Sequence, residues 1–182
     1  GIMIYEPAED SLLLACEVIK NVNEKTLLDM GAGSGILSEE ALKAGAASVL
    51  AVDVDNESIR LLQKKNIPAL QSNLFEKVRR QFDVIAFNPP YLPFDAREDA
   101  ESRCVTTGGK KGDEIVLRFL RYAPKHLTLG GIVLLLLSSL TPKKRILTLL
   151  KKQKMKYELV SEEKLFFEKL EVWKIVFEEH NL

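Results

Sequence analysis

"LLDMGAGSG", Leu27 to Gly35, decides how the rest of the chain is read. Its first half is an apolar run of strand length that closes on acidic Asp29. Its second half sets Gly31, Gly33 and Gly35 at alternate positions, just before a helical pattern that starts near Ile36. Glycines permit a tight turn and let the backbone approach a ligand, and a helix opening there offers free N–H groups. A strand running through glycines into a helix is the first unit of an α/β fold. A ligand-free strand-to-helix turn is the competing reading of the same glycines.

Outward from that stretch the alternation continues. A helix over Ile36 to Ala44 leads to a strand "ASVLAVDV", a helix over Glu57 to Lys65, and a strand "IPALQS". This βαβαβ order predicts a parallel sheet covered on both faces. "FDVIAF" supplies a fourth strand, "DEIVLRFLRYAPKHL" a helix, "GIVLLLLS" a fifth strand, and "PKKRILTLLKKQK" a helix opened by proline. The tail, "YELVSEEKLFFEKLEVWKIVFEE", holds two β-rich runs with only a polar turn between them, so it predicts an antiparallel hairpin. Upstream, "AEDSLLLACEVIKNV" has acids in its first turn and predicts a helix from near Ala8. Without repeats or linker-like tracts, residues 1–182 are expected to form one domain. Leu92 to Gly112 is the longest stretch without periodicity, a length that points to a functional loop.

Composition narrows the function classes. In 182 residues, 46% hydrophobic and 29% charged, 26 basic side chains balance 26 acidic ones, so overall charge favours neither nucleic acid nor an anionic membrane. The longest apolar run, "GGIVLLLLSSL", is too short to span a bilayer, and no signal-peptide pattern opens the chain. Cys16 and Cys104 lack metal-ligand spacing and read as reduced thiols, which together predicts a cytoplasmic protein. The lysines of "PKKRILTLLKKQK" read as the solvated face of a helix, with a nucleic-acid contact as the weaker alternative.

A strand ending at Asp53, about twenty residues past the glycines, sets a carboxylate where it can accept both hydroxyls of a ribose. Capping of the next helix is the other role open to Asp53, although Asp55 or Asn56 could fill it. The ligand is therefore expected to contain a nucleoside. Asp29 at the strand end would repel a pyrophosphate and suit a cation, and the glycine spacing differs from G-x-G-x-x-G. Both features disfavour NAD and favour S-adenosyl-L-methionine, whose methionine part carries an ammonium and a sulfonium.

"DVIAFNPPYLP", Asp83 to Pro93, ends a buried strand on two residues that have no N–H. Prolines hold the residues before them extended, so the Asn88 side-chain oxygen and the Pro89 carbonyl can both accept from one planar NH2 group, with Tyr91 packing on its flat face. His126 reads as a charge partner at a helix C-terminus and His180 as part of a terminal tail. Phe166, Phe167 and Trp173 are expected to pack within the terminal hairpin.

"DMGAGSG" paired with "FNPPY" resembles the class I S-adenosylmethionine-dependent methyltransferases that modify planar amino groups. "YEPAEDSLLL" at Tyr5 to Leu14, "NPPYLP" at Asn88 to Pro93 and "TGGKKGDEIVLRFL" at Thr107 to Leu120 resemble the HemK-type protein-glutamine N5-methyltransferases. These methylate the glutamine of the Gly-Gly-Gln loop of class I peptide release factors. The resemblance covers nearly the whole chain. It implies a Rossmann-like sheet of seven mostly parallel strands, order 3-2-1-4-5-7-6, with a C-terminal antiparallel hairpin. The bacterial members carry an extra N-terminal helical domain, which is not expected here, so the resemblance implies the short archaeal and eukaryotic branch.

Carried over by position, the resemblance implies cofactor contacts from Ser11, Asp29, Gly31, Asp53, Asn73, Leu74 and Asn88, to which the glycine loop adds Gly33. The family normally has aspartate where Asn73 stands, and the asparagine carbonyl can still accept from an adenine amino group. The "NPPY" stretch implies Asn88, Pro89, Pro90 and Tyr91 as the catalytic strip, with S-adenosyl-L-homocysteine as product. Short-branch members work with a small zinc-binding activator, expected here on the open edge of the third strand, where Ile67, Ala69 and Leu70 are available. Methylation of an exocyclic base nitrogen, or of another protein, is the alternative activity, because adenine and a carboxamide present the same flat NH2.

Overall fold

The computed structural model describes residues 9–90 and 112–179. Five α-helices, Glu9–Asn21 (α1), Ile36–Lys43 (α2), Asn56–Lys64 (α3), Glu114–Tyr122 (α4) and Lys144–Lys152 (α5), occur among these residues. The strands are Thr26–Met30 (β1), Ser48–Asp53 (β2), Ala69–Gln71 (β3), Phe82–Phe87 (β4), Leu127–Ser138 (β5), Met155–Lys164 (β6) and Lys169–Phe177 (β7). They form one sheet in the order 3-2-1-4-5-7-6. Strands β1 to β5 pair in parallel, and β7 pairs antiparallel with both β5 and β6.

Strand periodicity explains the two layers over this sheet. In β4, Val84 and Ala86 face one side while Ile85 and Phe87 face the other; in β5, Leu134 and Leu136 oppose Val133, Leu135 and Leu137. The first side is covered by Leu14 and Val18 of α1, Leu37 and Ala41 of α2, and Ile59 and Leu62 of α3. The second is covered by Val116, Phe119 and Leu120 of α4 and Ile146 and Leu150 of α5. Each leucine, isoleucine, valine or phenylalanine among these contributes about 1.5–3 kcal/mol by leaving water, which is why central strands read as unbroken apolar runs.

Strand order turns back between β1 and β4, and an open α/β sheet binds ligands in the crevice beyond the strand ends at such a point. Met30 at the end of β1 lies opposite Val52 of β2 and Phe87 of β4. The glycines after Met30, Asp53 after Val52 and Asn88 after Phe87 are therefore level with one another.

Several expectations change. Pro124, which cannot donate, breaks the helix expected to reach Leu127, so α4 ends at Tyr122 and a 3-10 turn, Ala123–His126, follows. Pro142 lies before α5, whose N-cap is Lys143, and so does not open the helix. Lys144, Lys151 and Lys152 are exposed, as expected of an outer helix face. β3 keeps only three residues, and Ile67 is 3% exposed within the core, so it is not available at the sheet edge; Ala69 and Leu70 are half-buried. His126 is buried rather than a helix-end charge partner: its ring stacks on Phe75 at 4.7 Å and its Nδ1 lies 2.9 Å from the Arg80 carbonyl. Trp173 packs as expected, stacked on Tyr157 at 3.9 Å, but Phe166 and Phe167 are 90% and 59% exposed at the hairpin turn. Among the described residues no helix is long and apolar enough to cross a membrane. Tyr5, Tyr91, the Leu92 to Lys111 part of the long loop, Cys104 and His180 lie outside the described residues.

Candidate active site

The glycine loop is folded by its own backbone. Gly31 and Ala32 donate to the Val52 carbonyl at 2.8 and 3.0 Å, and Gly35 donates to Ala32 O at 2.9 Å. Gly31, Gly33 and Gly35 all take positive φ, 68°, 53° and 88°, a region that glycine enters without steric cost. Their surroundings differ. A Cβ on Gly35 would lie 2.7 Å from Leu62 and 3.1 Å from Ile67, whereas one on Gly33 would meet nothing within 4 Å. Gly35 thus closes α2 onto α3, while Gly33 borders open space. A Cβ on Gly31 would stand 3.6 Å from the Phe87 ring and 3.7 Å from the Asn88 carbonyl, which brings the loop against the end of β4.

Asp53 holds this loop to β2. Its Oδ2 accepts from Gly33 N at 2.9 Å and its Oδ1 from Asp55 N at 2.9 Å. Capping of α3 falls to Asp55, which accepts from Ser58 N at 3.1 Å, so the capping alternative for Asp53 is removed. Past β3, Ser72 N donates to the Asp53 carbonyl at 3.0 Å, and the Ser72 hydroxyl donates to Leu74 O at 2.9 Å. Leu74 adopts φ 52°, uncommon for a leucine and costly by about 1–3 kcal/mol, a strain that clusters at ligand sites. Asn73 Oδ1 accepts from Arg118 Nη2 of α4 at 3.2 Å, a neighbour that sequence reasoning did not supply.

Asp29 faces inward, 1% exposed, and accepts from the Ser38 hydroxyl at 2.8 Å. Burial pushes its carboxyl up to about 6, the Ser38 hydrogen bonds oppose that, and the charge of Asp53 adds to it.

At the end of β4, Asn88 Nδ2 donates to Asp10 Oδ2 at 3.0 Å and to Ser11 Oγ at 3.4 Å. A carboxylate only accepts, so the amide must turn its nitrogen to Asp10 and its oxygen away. That oxygen, Asn88 Oδ1, is buried and has no hydrogen-bond partner among the described residues. An unsatisfied buried acceptor costs about 1–3 kcal/mol and calls for a donor at that place. Beside it, Pro89 and Pro90 line a cleft with Ile115 and Val116 of α4 and with Leu136 to Ser138 of β5.

The structure thus gathers Ser11, Asp29, Gly31, Gly33, Asp53, Asn88, Pro89 and Pro90 at the carboxyl ends of β1, β2 and β4, with Asn73 and Leu74 following β3. Sequence reasoning missed Asp10 and Ser38. Asp10 was legible only as one of two acids in the first turn of α1. Its 7% exposure is the feature that separates it from a helix-dipole residue.

Residues 9–167 match the family described as "Methyltransferase small domain". A Methanocaldococcus jannaschii protein, provisionally named a protein N5-glutamine methyltransferase, is 40% identical over 93% of this chain and 89% of its own length. The release factor glutamine methyltransferase of Fusobacterium nucleatum is 33% identical over 54% of this chain, but only 31% of that longer protein is spanned. Among solved structures, the E. cuniculi Mtq2–Trm112 complex, responsible for methylation of the eRF1 termination factor, superposes with a TM-score of 0.73 at 25% identity, covering 96% of this chain and 98% of that one.

Proposed function

This chain belongs to the methyltransferase small-domain family, on its protein N5-glutamine methyltransferase branch, and from that premise we propose that it methylates the Gly-Gly-Gln glutamine of a class I peptide release factor. The carrying observation is Asn88 Oδ1, a buried acceptor at the end of β4, oriented by Asp10 and without a hydrogen-bond partner among the described residues.

The residues present fit an S-adenosyl-L-methionine donor. Gly33 borders open space, Asp53 carries carboxylate oxygens that can accept from ribose hydroxyls, and Asn73, whose Oδ1 already accepts from Arg118, and Leu74 are the residues proposed for the adenine. Asp29, though buried, sets negative charge at the strand end toward a cationic group, and Ser11 stands beside Asn88. When bound, the donor supplies an electrophilic methyl on a sulfonium.

This chain's own contribution is to hold the acceptor nitrogen. An amide lone pair is conjugated with its carbonyl, as the ~18–20 kcal/mol barrier to rotation shows. Asn88 Oδ1 and the Pro89 carbonyl each accept one hydrogen of the substrate NH2, which fixes the nitrogen and favours the positive charge that develops there. The prolines keep this strip extended. The new nitrogen–carbon bond would replace the donor's sulfur–carbon bond, whose electron pair would stay on the sulfur of the S-adenosyl-L-homocysteine product, and one nitrogen-bound proton would pass to water.

A small zinc-binding partner on the β3 edge completes the proposal, and a release-factor substrate implies work in the cytoplasm. β3 is the end strand of the sheet, with half-buried Ala69 and Leu70 on it. The deciding experiment is mass spectrometry of a release factor incubated with this chain and the methyl donor, with and without the partner. A methyl on the Gly-Gly-Gln glutamine is expected; an unmodified glutamine, with methyl found on a base amino group of added nucleic acid, overturns the reading.

A further inference from the structure

Between β6 and β7 the chain turns through Leu165 to Glu168, with Phe166 and Phe167 side by side, 90% and 59% exposed, their rings meeting edge to face at 4.4 Å. Turns favour glycine, asparagine and aspartate, whose backbones suit them, so the turn's backbone does not itself call for two phenylalanines. Adjacent exposed aromatics are a mark of a contact surface, and aromatic side chains supply much of the energy at the centre of protein interfaces.

The position of this turn ties it to the active site. β7 runs antiparallel to β5 with Leu170 opposite Ser138, so the turn lies at the carboxyl end of the parallel strands, the end where the glycine loop and Asn88 stand. Ser138 joins the two places: its hydroxyl donates to Glu168 and accepts from Leu140 N at 3.0 Å, and the same residue lines the cleft beside Pro89 and Pro90. Leu140, 46% exposed, adds an apolar side chain to this rim. The turn is also held in shape. Leu165 N donates to Glu168 O at 2.7 Å and Lys169 N to Ser139 Oγ at 2.8 Å, so little freedom remains to be lost on docking.

Charge selects the kind of partner. Residues 158–171 carry five glutamates against two lysines, a surround that repels a phosphate backbone and accepts a neutral or basic polypeptide.

We propose that Phe166 and Phe167, with Leu140, form a docking ridge for the substrate protein, receiving apolar side chains near the glutamine that enters the Asn88 site. This rests on the protein-glutamine reading above. The test compares the wild-type chain with a Phe166→Ser, Phe167→Ser double variant on an intact release factor. The KM for the release factor should rise at least tenfold, while kcat and the affinity for S-adenosyl-L-homocysteine stay within about twofold. A benzophenone side chain placed at position 166 should cross-link to the release factor near its glutamine loop, a readout that holds even if the double variant folds poorly. Methylation by the wild type with unchanged KM in the variant, or with no cross-link, overturns the docking ridge alone. Failure of the wild type to methylate the release factor overturns both this and the proposed function. A dimer that becomes monomeric in the variant without a KM change assigns the ridge to a second copy of the chain, and cross-links found only to added RNA assign it to nucleic acid; either result overturns the proposal.

Discussion

Asn88 Nδ2 donates to Asp10 Oδ2 at 3.0 Å, joining the end of β4 to the first turn of α1 across 78 residues of chain. Rotation of the Asn88 amide by half a turn would set its oxygen against the carboxylate, so the bond selects one orientation and turns Oδ1 away from Asp10. Asp10 is therefore a positioning residue. Asp10→Ala is expected to lower kcat about 10–100-fold, out of a charge-assisted bond worth about 1.5–3 kcal/mol, with little change in donor affinity. Asp10→Asn can turn its own carbonyl to Nδ2 and should recover most of the rate. Single-turnover kinetics and donor calorimetry on both variants separate these outcomes, and equal losses in the two would deny the orienting role.

Asn88 itself should behave differently from the residues around the donor. Asn88→Ala removes an acceptor for the substrate nitrogen while leaving the glycine loop and Asp53 in place. By analogy with losing one preorganised hydrogen-bonding group, about 10²–10³ in kcat should disappear. Binding of S-adenosyl-L-homocysteine, followed as a rise in the unfolding midpoint, should persist. A near-normal rate in this variant would remove Asn88 from the reaction.

Much of this arrangement was legible in the chain, and the reasons are physical. "FDVIAF" matches β4 to the residue because a strand buried on both faces admits no polar interruption except Asp83, which is tied to Thr26 N at 2.9 Å and to the Thr128 hydroxyl at 2.7 Å. The positions of the glycines and of Asn88 follow from strand ends, which local sequence marks well. Pairings made by folding were hidden. No local pattern tells that Asp10 meets Asn88, that Ser38 meets Asp29, or that Arg118 reaches Asn73. Phe166 and Phe167 misled for a related reason: they continue the apolar tone of the hairpin, but the turn takes them out of the pleat, where alternation no longer says which side is covered.

The glycines separate folding from binding. At Gly35 a methyl group would stand 2.7 Å from Leu62, and φ is 88°, so Gly35→Ala must shift the contact between the loop and α3 as well as adopt a left-handed backbone. A loss of about 2–4 kcal/mol in stability follows from the combined strain and overpacking. At Gly33 nothing lies within 4 Å, so Gly33→Ala meets only the backbone penalty of about 1–2 kcal/mol, and its methyl projects toward the open space assigned to the donor. Chemical denaturation and donor titration should therefore rank the two variants in opposite orders. The same order in both measurements would mean that Gly33 does not border the donor.

Asp29 is expected to make stability and donor affinity depend on pH in opposite directions. Burial raises its carboxyl to about 6 in the folded chain, whereas an unfolded aspartate titrates near ~3.9. Between those values the folded chain keeps a proton that the unfolded chain has released, so stability falls as pH rises from about 4 to about 6 and is level above that. The whole fall amounts to about 3 kcal/mol if the shift is fully expressed. Asp29→Asn has no ionised form to bury, and its new NH2 group adds an offset that does not vary with pH. Denaturant unfolding should then show the variant gaining on the wild type by up to that amount between pH 4 and 6, with a constant difference at higher pH. Donor binding should move the other way: wild-type affinity rises across the window as the carboxylate forms, because the anion favours a cationic group in the cleft, and the variant shows no such rise. A stability difference that stays constant from pH 4 to 8 would mean that Asp29 is not the titrating group, and a donor affinity equally flat in both chains would remove its charge from the donor site.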